Sequence, residues 1–145
     1  DIMTGGTGAD TFVYAAGVTD TVSAAASVAG IDQILDFVAN GSTADLLDLT
    51  VTVATVNTAV AAGSADAATF ITDINALVNA AGGVGFDTAV NLDISAALVT
   101  LNAGDQTGKT FLAVDLDGSD TFTATDFIID VTGITATLFD TNVFV

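Results

Sequence analysis

The residues of this chain best suited to chemistry are oxygen donors, and they begin with its first residues. Residues 1–12 contain one copy of the pattern G-G-x-G-x-D-x-U-x, in which U is a large apolar residue; its members are Gly5, Gly6, Gly8, Asp10 and Phe12. Glycines let the backbone turn sharply and let carbonyl oxygens approach a cation, and the aspartate adds a carboxylate. Calcium takes about six to eight oxygen ligands, which is more than one such turn supplies. A second turn, adjacent to the first, must therefore share each ion. The pattern predicts a calcium-binding turn, against the alternative of a glycine-rich hairpin that binds nothing.

Composition points to the same chemistry. All 18 acidic residues are Asp, the only base is Lys109, and the formal net charge is −17. The chain has no His and no Cys, which excludes a Ser-His-Asp triad, disulfides, and imidazole or thiolate metal sites. An oxygen-only donor set favours calcium over transition metals, and bound cations would relieve the repulsion between the carboxylates.

The same composition limits partners and catalysis. Nucleic acid and anionic membrane surfaces are not expected as partners because both require Lys or Arg. Membrane insertion is not predicted, since no stretch of about 18 residues is free of polar groups. A glycosidase with paired carboxylates is the one cofactor-free reaction that the composition allows. Because Trp is absent and only one Tyr is available to hold a sugar, we do not expect an enzyme.

Two further acidic segments follow the glycine-rich one. The first, residues 30–49, carries Asp32, Asp36, Asp45 and Asp48; the second, residues 115–126, carries Asp115, Asp117, Asp120 and Asp126. The second has the length of an EF-hand loop, but its sixth residue is Asp instead of Gly, its twelfth is Asp instead of Glu, and no helical pattern flanks it. Carboxylates this close together are hard to maintain without a cation. The alternatives are amphipathic strands with exposed acids for the first segment and a solvated acidic turn for the second.

Short strands and one helix are predicted to position these segments. Apolar alternation predicts strands at 12–14, from residue 50 onward, over 85–101 and over 109–114. The best helical pattern covers residues 64–81, with Ser64 as a candidate N-cap and two glycines after its end. We expect this helix to cover an open face or end of the β-structure, with a partner-binding helix as the alternative.

Together the segments resemble the C-terminal domains of RTX proteins, secreted proteins with calcium-binding nine-residue repeats. Asp1 lies nine residues before Asp10, and Met3 lies nine before Phe12, which matches that repeat. Residues 32–49 are similar to the segment after the last repeats of serralysin-type metalloproteases, although residues 42–44 replace a single residue of the family pattern. Residues 112–128 are similar to a strand–turn–strand near the end of the same domains, and residues 139–145 resemble the C-terminus of type I secretion substrates.

This resemblance implies a mainly β fold in a single domain over residues 1–145. Residues 1–14 would be the last repeat of a parallel β-roll, continuing into a β-sandwich-like cap over 15–145, and the chain is expected to be a fragment of a longer one. The resemblance also implies calcium (Ca2+) as the bound ion. The expected ligands are Gly5, Gly6, Gly8, Asp10, Asp32, Asp36, Asp45, Asp48, Asp115, Asp117, Asp120 and Asp126.

The function implied is that of a non-catalytic calcium-binding module of an extracellular protein exported by type I secretion machinery. Since extracellular calcium modules bind with affinities of about 10⁻⁴ to 10⁻³ M, such a chain would fold only outside the cell. The Ala-, Val-, Thr- and Gly-rich composition favours self-association into a cell-surface layer or filament. The alternative is the export and stability domain of a secreted protease or lipase whose catalytic part is not in this chain. An ice-binding module would need a regular Thr-x-Thr ladder, which starts at Thr50 but does not continue.

Overall fold

Three apolar runs in the second half of the chain form the centre of the structure. They are the strands β7 (Ser95–Ala103), β8 (Thr110–Val114) and β9 (Phe127–Asp130), paired antiparallel in that order. Every residue of β8 and β9 is buried, which explains why these strands are almost continuously apolar and do not alternate with polar residues. They carry both hydrophobic cores of the protein, one on each face.

The computed structural model describes residues 1–14, 28–49, 51–57, 63–79, 86, 93–134 and 139–145. Within these residues the remaining elements are β1 (Ile2–Met3), β2 (Thr11–Val13), β3 (Gln33–Ile34), β4 (Leu46–Asp48), β5 (Thr55–Asn57), β6 (Gly63–Ser64) and the helix α1 (Phe70–Val78). Short 3-10 turns occupy Val28–Gly30 and Thr141–Val143. The described residues are mainly β with one α-helix, in agreement with the mainly β fold that the sequence predicts. Among the described residues, no helix has the length and apolar character required to cross a membrane.

The strands form one mixed sheet and one small parallel sheet. The mixed sheet has seven strands in the order β1-β3-β9-β8-β7-β5, with β6 pairing a later part of β7. The small sheet pairs β2 with β4 in parallel. Among the described strands, only the β7–β8 and β8–β9 pairs are antiparallel. The described strands therefore establish a mainly β fold with a mixed sheet, but not a parallel β-roll.

Three segments distant in sequence nevertheless lie on one another in parallel. The strand β3 pairs with β1 on one side and β9 on the other, and β4 pairs with β2 and with an isolated bridge at Phe144. Gln33 pairs with Asp130, and Leu47 pairs with Phe144. The distance along the chain from Gln33 to Leu47 equals that from Asp130 to Phe144, so the two segments stay in register. Residues 1–14, residues 31–49, and residues 127–134 with 139–145 are thus three stacked layers.

The two cores lie on opposite faces of the mixed sheet. One fills the space between the two sheets, where Phe12 and Leu47 of the small sheet pack in the same cluster as Leu98 and Leu112 of the mixed sheet. The other lies beneath α1, whose buried residues pack with alternate residues of β7 and β8; its members include Phe70, Ile74, Val78, Ala97, Val99, Phe111 and Phe122. The helix therefore covers one face of the mixed sheet.

The helix is shorter than its sequence pattern predicts. It begins after Thr69 instead of Ser64, and Ser64 belongs to β6, which pairs with β7. Because strand pairing satisfies the backbone of residues 63–64, tertiary structure overrides the local helical pattern there. Thr69 makes no side-chain cap bond to the backbone, but its hydroxyl donates to Asp73 in the first turn (2.6 Å). The predicted last residues, 80 and 81, lie outside the described residues.

The predicted strands are found with altered lengths. The strand expected at 12–14 covers Thr11–Val13, and the one expected over 109–114 begins at Thr110. The alternation over 85–101 becomes β7, which begins at Ser95 and continues to Ala103; residues 87–92 lie outside the described residues. The pattern starting at residue 50 forms only Thr55–Asn57 within the described part. The sequence would also allow a helical turn over residues 22–28, and these residues lie outside the described part apart from Val28.

Candidate metal centre

Three carboxylates meet where β8 ends and β9 begins. Asp115 follows the last residue of β8, and Asp126 precedes the first residue of β9. Because Val114 pairs with Phe127, the antiparallel register places Asp115 and Asp126 directly opposite each other. The loop between them folds back so that one carboxylate oxygen each of Asp115, Asp117 and Asp126 lies within 4.8 Å of the other two. We call these three residues the acidic triad.

Burial and backbone hydrogen bonds hold two members of the acidic triad in place. Asp115 and Asp126 are both fully buried, whereas Asp117 is exposed. Asp115 accepts the backbone N–H groups of Ser119 (3.1 Å) and Asp120 (2.6 Å). Asp126 accepts those of Leu116 (2.9 Å) and Thr123 (2.7 Å). The loop is therefore wrapped around its own carboxylates, whose remaining lone pairs can face a cation.

The loop resembles an EF-hand loop in the positions that converge, but not in its flanking elements. The residues that meet are the first, third and twelfth of the run 115–126. Asp120, the sixth, has a φ of +58°, the left-handed conformation that EF-hand loops obtain with glycine. Strands flank the loop, in agreement with the absence of a helical pattern in the sequence. Asp120 is not a member of the acidic triad, although its amide donates to Asp115.

The helix α1 supports the loop from the covered face of the sheet. The amide oxygen of Asn75 accepts the backbone N–H of Phe122 (3.0 Å), and the Phe122 side chain is buried in the core beneath the helix. Its ring centroid lies 6.4 Å from that of Phe86. Sequence patterns did not identify Asn75, because a half-buried polar residue of an amphipathic helix has no distinguishing feature.

No basic side chain neutralises the acidic triad. The single base of the sequence, Lys109, is ion-paired with the buried carboxylate of Asp130. Burial raises the pKa of Asp115 and Asp126 above the ordinary value, and for Asp126 the charge of Asp115 adds to that effect. A hydrogen bond from the Ser119 side chain lowers the pKa of Asp117. The raised pKa values mean that ionisation of Asp115 and Asp126 is unfavourable in the folded protein. Binding of either a proton or a cation relieves this cost.

These pKa shifts predict how the metal-free protein depends on pH. Since the folded-state pKa values of Asp115 and Asp126 are raised, their contribution to stability is fully present below the unfolded pKa near 4 and is lost as the pH rises through the folded values. We expect the free energy of unfolding in metal-free buffer to increase as the pH is lowered from neutrality toward the unfolded pKa of these two groups. Urea unfolding at several pH values measures this free energy.

The matched control for this pH dependence is Asp126→Asn. The net charge of the whole chain gives a trend of the same sign, so the contribution of the triad is the difference between the wild type and the variant. We expect a smaller pH dependence in Asp126→Asn. Identical pH dependence in the two proteins would show that the triad carboxylates titrate normally.

The glycine-rich segment forms a second acidic region, between the first two stacked layers. Asp36 accepts the backbone N–H groups of Gly5 (2.9 Å) and Gly6 (2.8 Å). Asp45 accepts those of Asp10 (3.0 Å) and Val38 (2.8 Å). The glycine amides thus face Asp36, whereas the sequence predicted that glycine carbonyls would face a cation. Gly6 and Gly8 have φ values of +98° and +124°, so both turns use the conformational freedom of glycine.

Asp10 is the unusual member of this region. Its Oδ2 atom is buried and has no hydrogen-bond partner. A Cβ atom at Gly5 would lie 2.8 Å from that oxygen, so only glycine allows this approach. Asp10 and Asp45 precede the paired residues Thr11 and Leu46, so they are neighbours across the two parallel strands. A buried carboxylate oxygen without a donor is a suitable ligand for a cation.

The remaining predicted ligands lie elsewhere. Asp32 is buried, and its carboxylate contacts the amino group of Asp1. Asp48 is half-buried in β4 on the side opposite the buried Leu47. Neither belongs to the acidic triad. The structure therefore divides the twelve predicted ligands into the triad, the Asp10 region and residues outside both.

Known proteins give no family for this chain. No protein-family model, curated protein or solved structure matches it. Its function is therefore argued from the geometry and chemistry of these two acidic regions.

Proposed function

We propose that this chain is a calcium-binding β module whose folding is completed by calcium. The observation that carries the proposal is the acidic triad, in which Asp115 and Asp126 are fully buried and share a site with Asp117 without a basic neighbour. Burying uncompensated like charges is strongly unfavourable, and a divalent cation compensates them. Binding to the folded state alone then stabilises it by mass action.

The donor set favours calcium over other divalent ions. Carboxylate oxygens, supplemented by backbone carbonyls and water, suit hard cations, and the chain has no His or Cys to attract zinc or copper. Convergence of the first, third and twelfth residues of a loop is the arrangement through which EF-hand loops hold calcium. Magnesium requires stricter octahedral geometry and retains more water, so it fits a three-carboxylate loop less well.

A second calcium ion is proposed between the first two stacked layers. The unpartnered Oδ2 of Asp10 and the neighbouring Asp45 supply its carboxylates. This site supports the further proposal that residues 1–14 end a parallel β-roll, in which ions lie between successive turns. The parallel stacking of residues 1–14, 31–49, and 127–134 with 139–145 agrees with that arrangement.

The wider biological role rests on the resemblance to RTX domains. We propose an extracellular, non-catalytic module exported by type I secretion, which folds where calcium is abundant and associates with further copies in a surface layer or filament. The outer edges of β1 and β2 support association, because both strands lie at sheet edges among the described residues, and Ile2 and Val13 there are 72% and 64% exposed. The alternative role is the export and stability domain of a secreted protease or lipase. Sedimentation with and without calcium tests the assembly proposal.

The decisive test of calcium binding compares Asp126→Asn with Asp120→Asn. Both changes remove one carboxylate charge from the loop, but only Asp126 belongs to the acidic triad. We expect Asp126→Asn to weaken calcium binding at the loop by at least about tenfold, since it removes a buried charged ligand. We expect Asp120→Asn to stay within about threefold of the wild type, because Asn also tolerates a positive φ.

Calcium titrations followed through the backbone amide signals of Ser119 and Asp120 report on this loop separately from the Asp10 region. Both amides donate to Asp115, so an ion in the acidic triad shifts them. A wild type whose loop signals do not respond to calcium would overturn the proposal. A larger loss in Asp120→Asn than in Asp126→Asn would move the site away from the triad.

A further inference from the structure

The residue next to the acidic triad in the mixed sheet is a buried serine. Ala96 pairs with Val114, and the backbone N–H of Asp115 donates to the carbonyl of Ser95 (2.9 Å). Ser95 therefore lies directly opposite Asp115, as Asp126 does on the other side. Side chains directly opposite each other in antiparallel strands lie on the same face of the sheet. Ser95, Asp115 and Asp126 thus form one row across β7, β8 and β9.

The hydroxyl of Ser95 has no partner in this row. Ser95 is 1% exposed, and its Oγ atom is buried without a hydrogen bond. In the described residues, the only other buried side-chain oxygen or nitrogen in this state is Oδ2 of Asp10, which lies in the other acidic region. A buried hydroxyl without a partner is destabilising, whereas alanine, which occupies the next two positions of β7, would avoid the loss.

We infer that the Ser95 hydroxyl is a further group of the cation site, supplying a neutral oxygen to the ion held by the acidic triad, directly or through one bound water. The inference rests on the proposed function and extends it to a strand outside the loop. With Ser95, the site spans three strands and the loop, so ion binding also ties the start of β7 to the end of β8 and the start of β9.

This role has a signature that a purely structural serine lacks. Removing the hydroxyl from the metal-free protein removes an unpaired buried polar atom, so Ser95→Ala should leave the metal-free protein equally stable or more stable. In the calcium-bound protein the same change removes a ligand, so calcium should bind more weakly. A serine that only packs or pairs within the fold would change both states by the same amount.

The experiment titrates calcium into the whole chain and follows the amide signals of Ser119 and Asp120 for wild type, Ser95→Ala and Ser64→Ala. Ser64 is an exposed serine of the adjacent strand β6 and serves as the matched control. We expect Ser95→Ala to weaken calcium binding about tenfold and Ser64→Ala to leave it unchanged. Urea unfolding of each protein in metal-free buffer supplies the second measurement.

The outcomes distinguish failure of the Ser95 role from failure of the calcium site itself. If wild type and Ser95→Ala bind calcium at the loop with equal affinity, the role of Ser95 is overturned and the calcium site stands. If the wild-type loop does not respond to calcium, both proposals fail together. If Ser95→Ala lowers metal-free stability as much as calcium-bound stability, the hydroxyl is structural and the inference is also overturned.

Discussion

Removal of calcium is expected to lower the unfolding temperature of this protein by about 15 °C at pH 7. At a calcium concentration about 100 times the dissociation constant, each site stabilises the folded state by about 2.7 kcal/mol. The triad and the Asp10 region together would therefore contribute about 5 kcal/mol. For a chain of 145 residues, each kcal/mol corresponds to about 3 °C in the unfolding midpoint.

This effect is large compared with ordinary protein stability. A domain is typically stable by about 5–15 kcal/mol, so loss of both ions could remove a large part of the total. The electrostatic reason is the net charge of −17, against which the only basic side chain is already paired with Asp130. In the metal-free protein the buried carboxylates of Asp115 and Asp126 must share protons or repel each other.

The measurement is thermal unfolding by circular dichroism in about 10 mM calcium and in excess chelator. The calcium concentration is chosen because extracellular modules bind calcium with dissociation constants of about 10⁻⁴ M or weaker. Two salt controls distinguish a specific site from charge screening. Sodium chloride at matched ionic strength and magnesium at matched concentration should each restore only a small part of the stability. Full restoration by sodium chloride, or unfolding midpoints that agree with and without chelator, would contradict a calcium-dependent fold.

Phe122→Ala is expected to lower the free energy of unfolding more than any other single change in the loop over residues 115–126. The Phe122 side chain is 1% exposed and packs in the core beneath α1. Truncating a buried phenylalanine costs about 3–5 kcal/mol through lost burial and the cavity that remains. Because Phe122 lies between Asp117 and Asp126, its loss should also release the loop and weaken calcium binding by about tenfold.

The matched control for this variant is Phe139→Ala. Phe139 is similarly buried but belongs to the core on the opposite face, where its ring stacks on Phe37. Both variants should lose a similar free energy of unfolding in urea, and only Phe122→Ala should lose calcium affinity at the loop in its folded state. Equal calcium affinities for the two folded variants would show that the loop holds its geometry without support from the helix side.

The sequence predicted the elements better than their boundaries. The strand near residue 110 and the existence of α1 follow from local apolar patterns, which depend on residues near one another in the chain. The helix start could not be predicted because Gly63 pairs with Leu101, a contact between distant residues that draws residues 63–64 into a strand. The parallel β-roll and its calcium ions remain proposals that the stacked segments support.

The residues of the candidate site were also predicted only in part. The sequence indicated residues 115–126 as a cation loop, and the structure brings three of its four predicted carboxylates together. Asp120 is the exception, since it adopts a left-handed backbone conformation at the turn and contributes its amide instead. Asn75 and Ser95 were not predicted, because each reaches the loop through a contact between residues far apart in sequence.

Composition alone fixes which ligand types this protein can offer a divalent cation. A chain with 18 Asp, one base and neither His nor Cys offers carboxylate and other oxygen ligands but no imidazole or thiolate, whatever its fold. Which of those oxygens lie together depends on the pairing of its strands. Strand register places Asp126 opposite Asp115 and Asp10 beside Asp45, and that register is set by which apolar residues enter the cores on the two faces of the sheet. Donor type is a property of each residue, whereas convergence depends on pairing between distant segments, which no local pattern records.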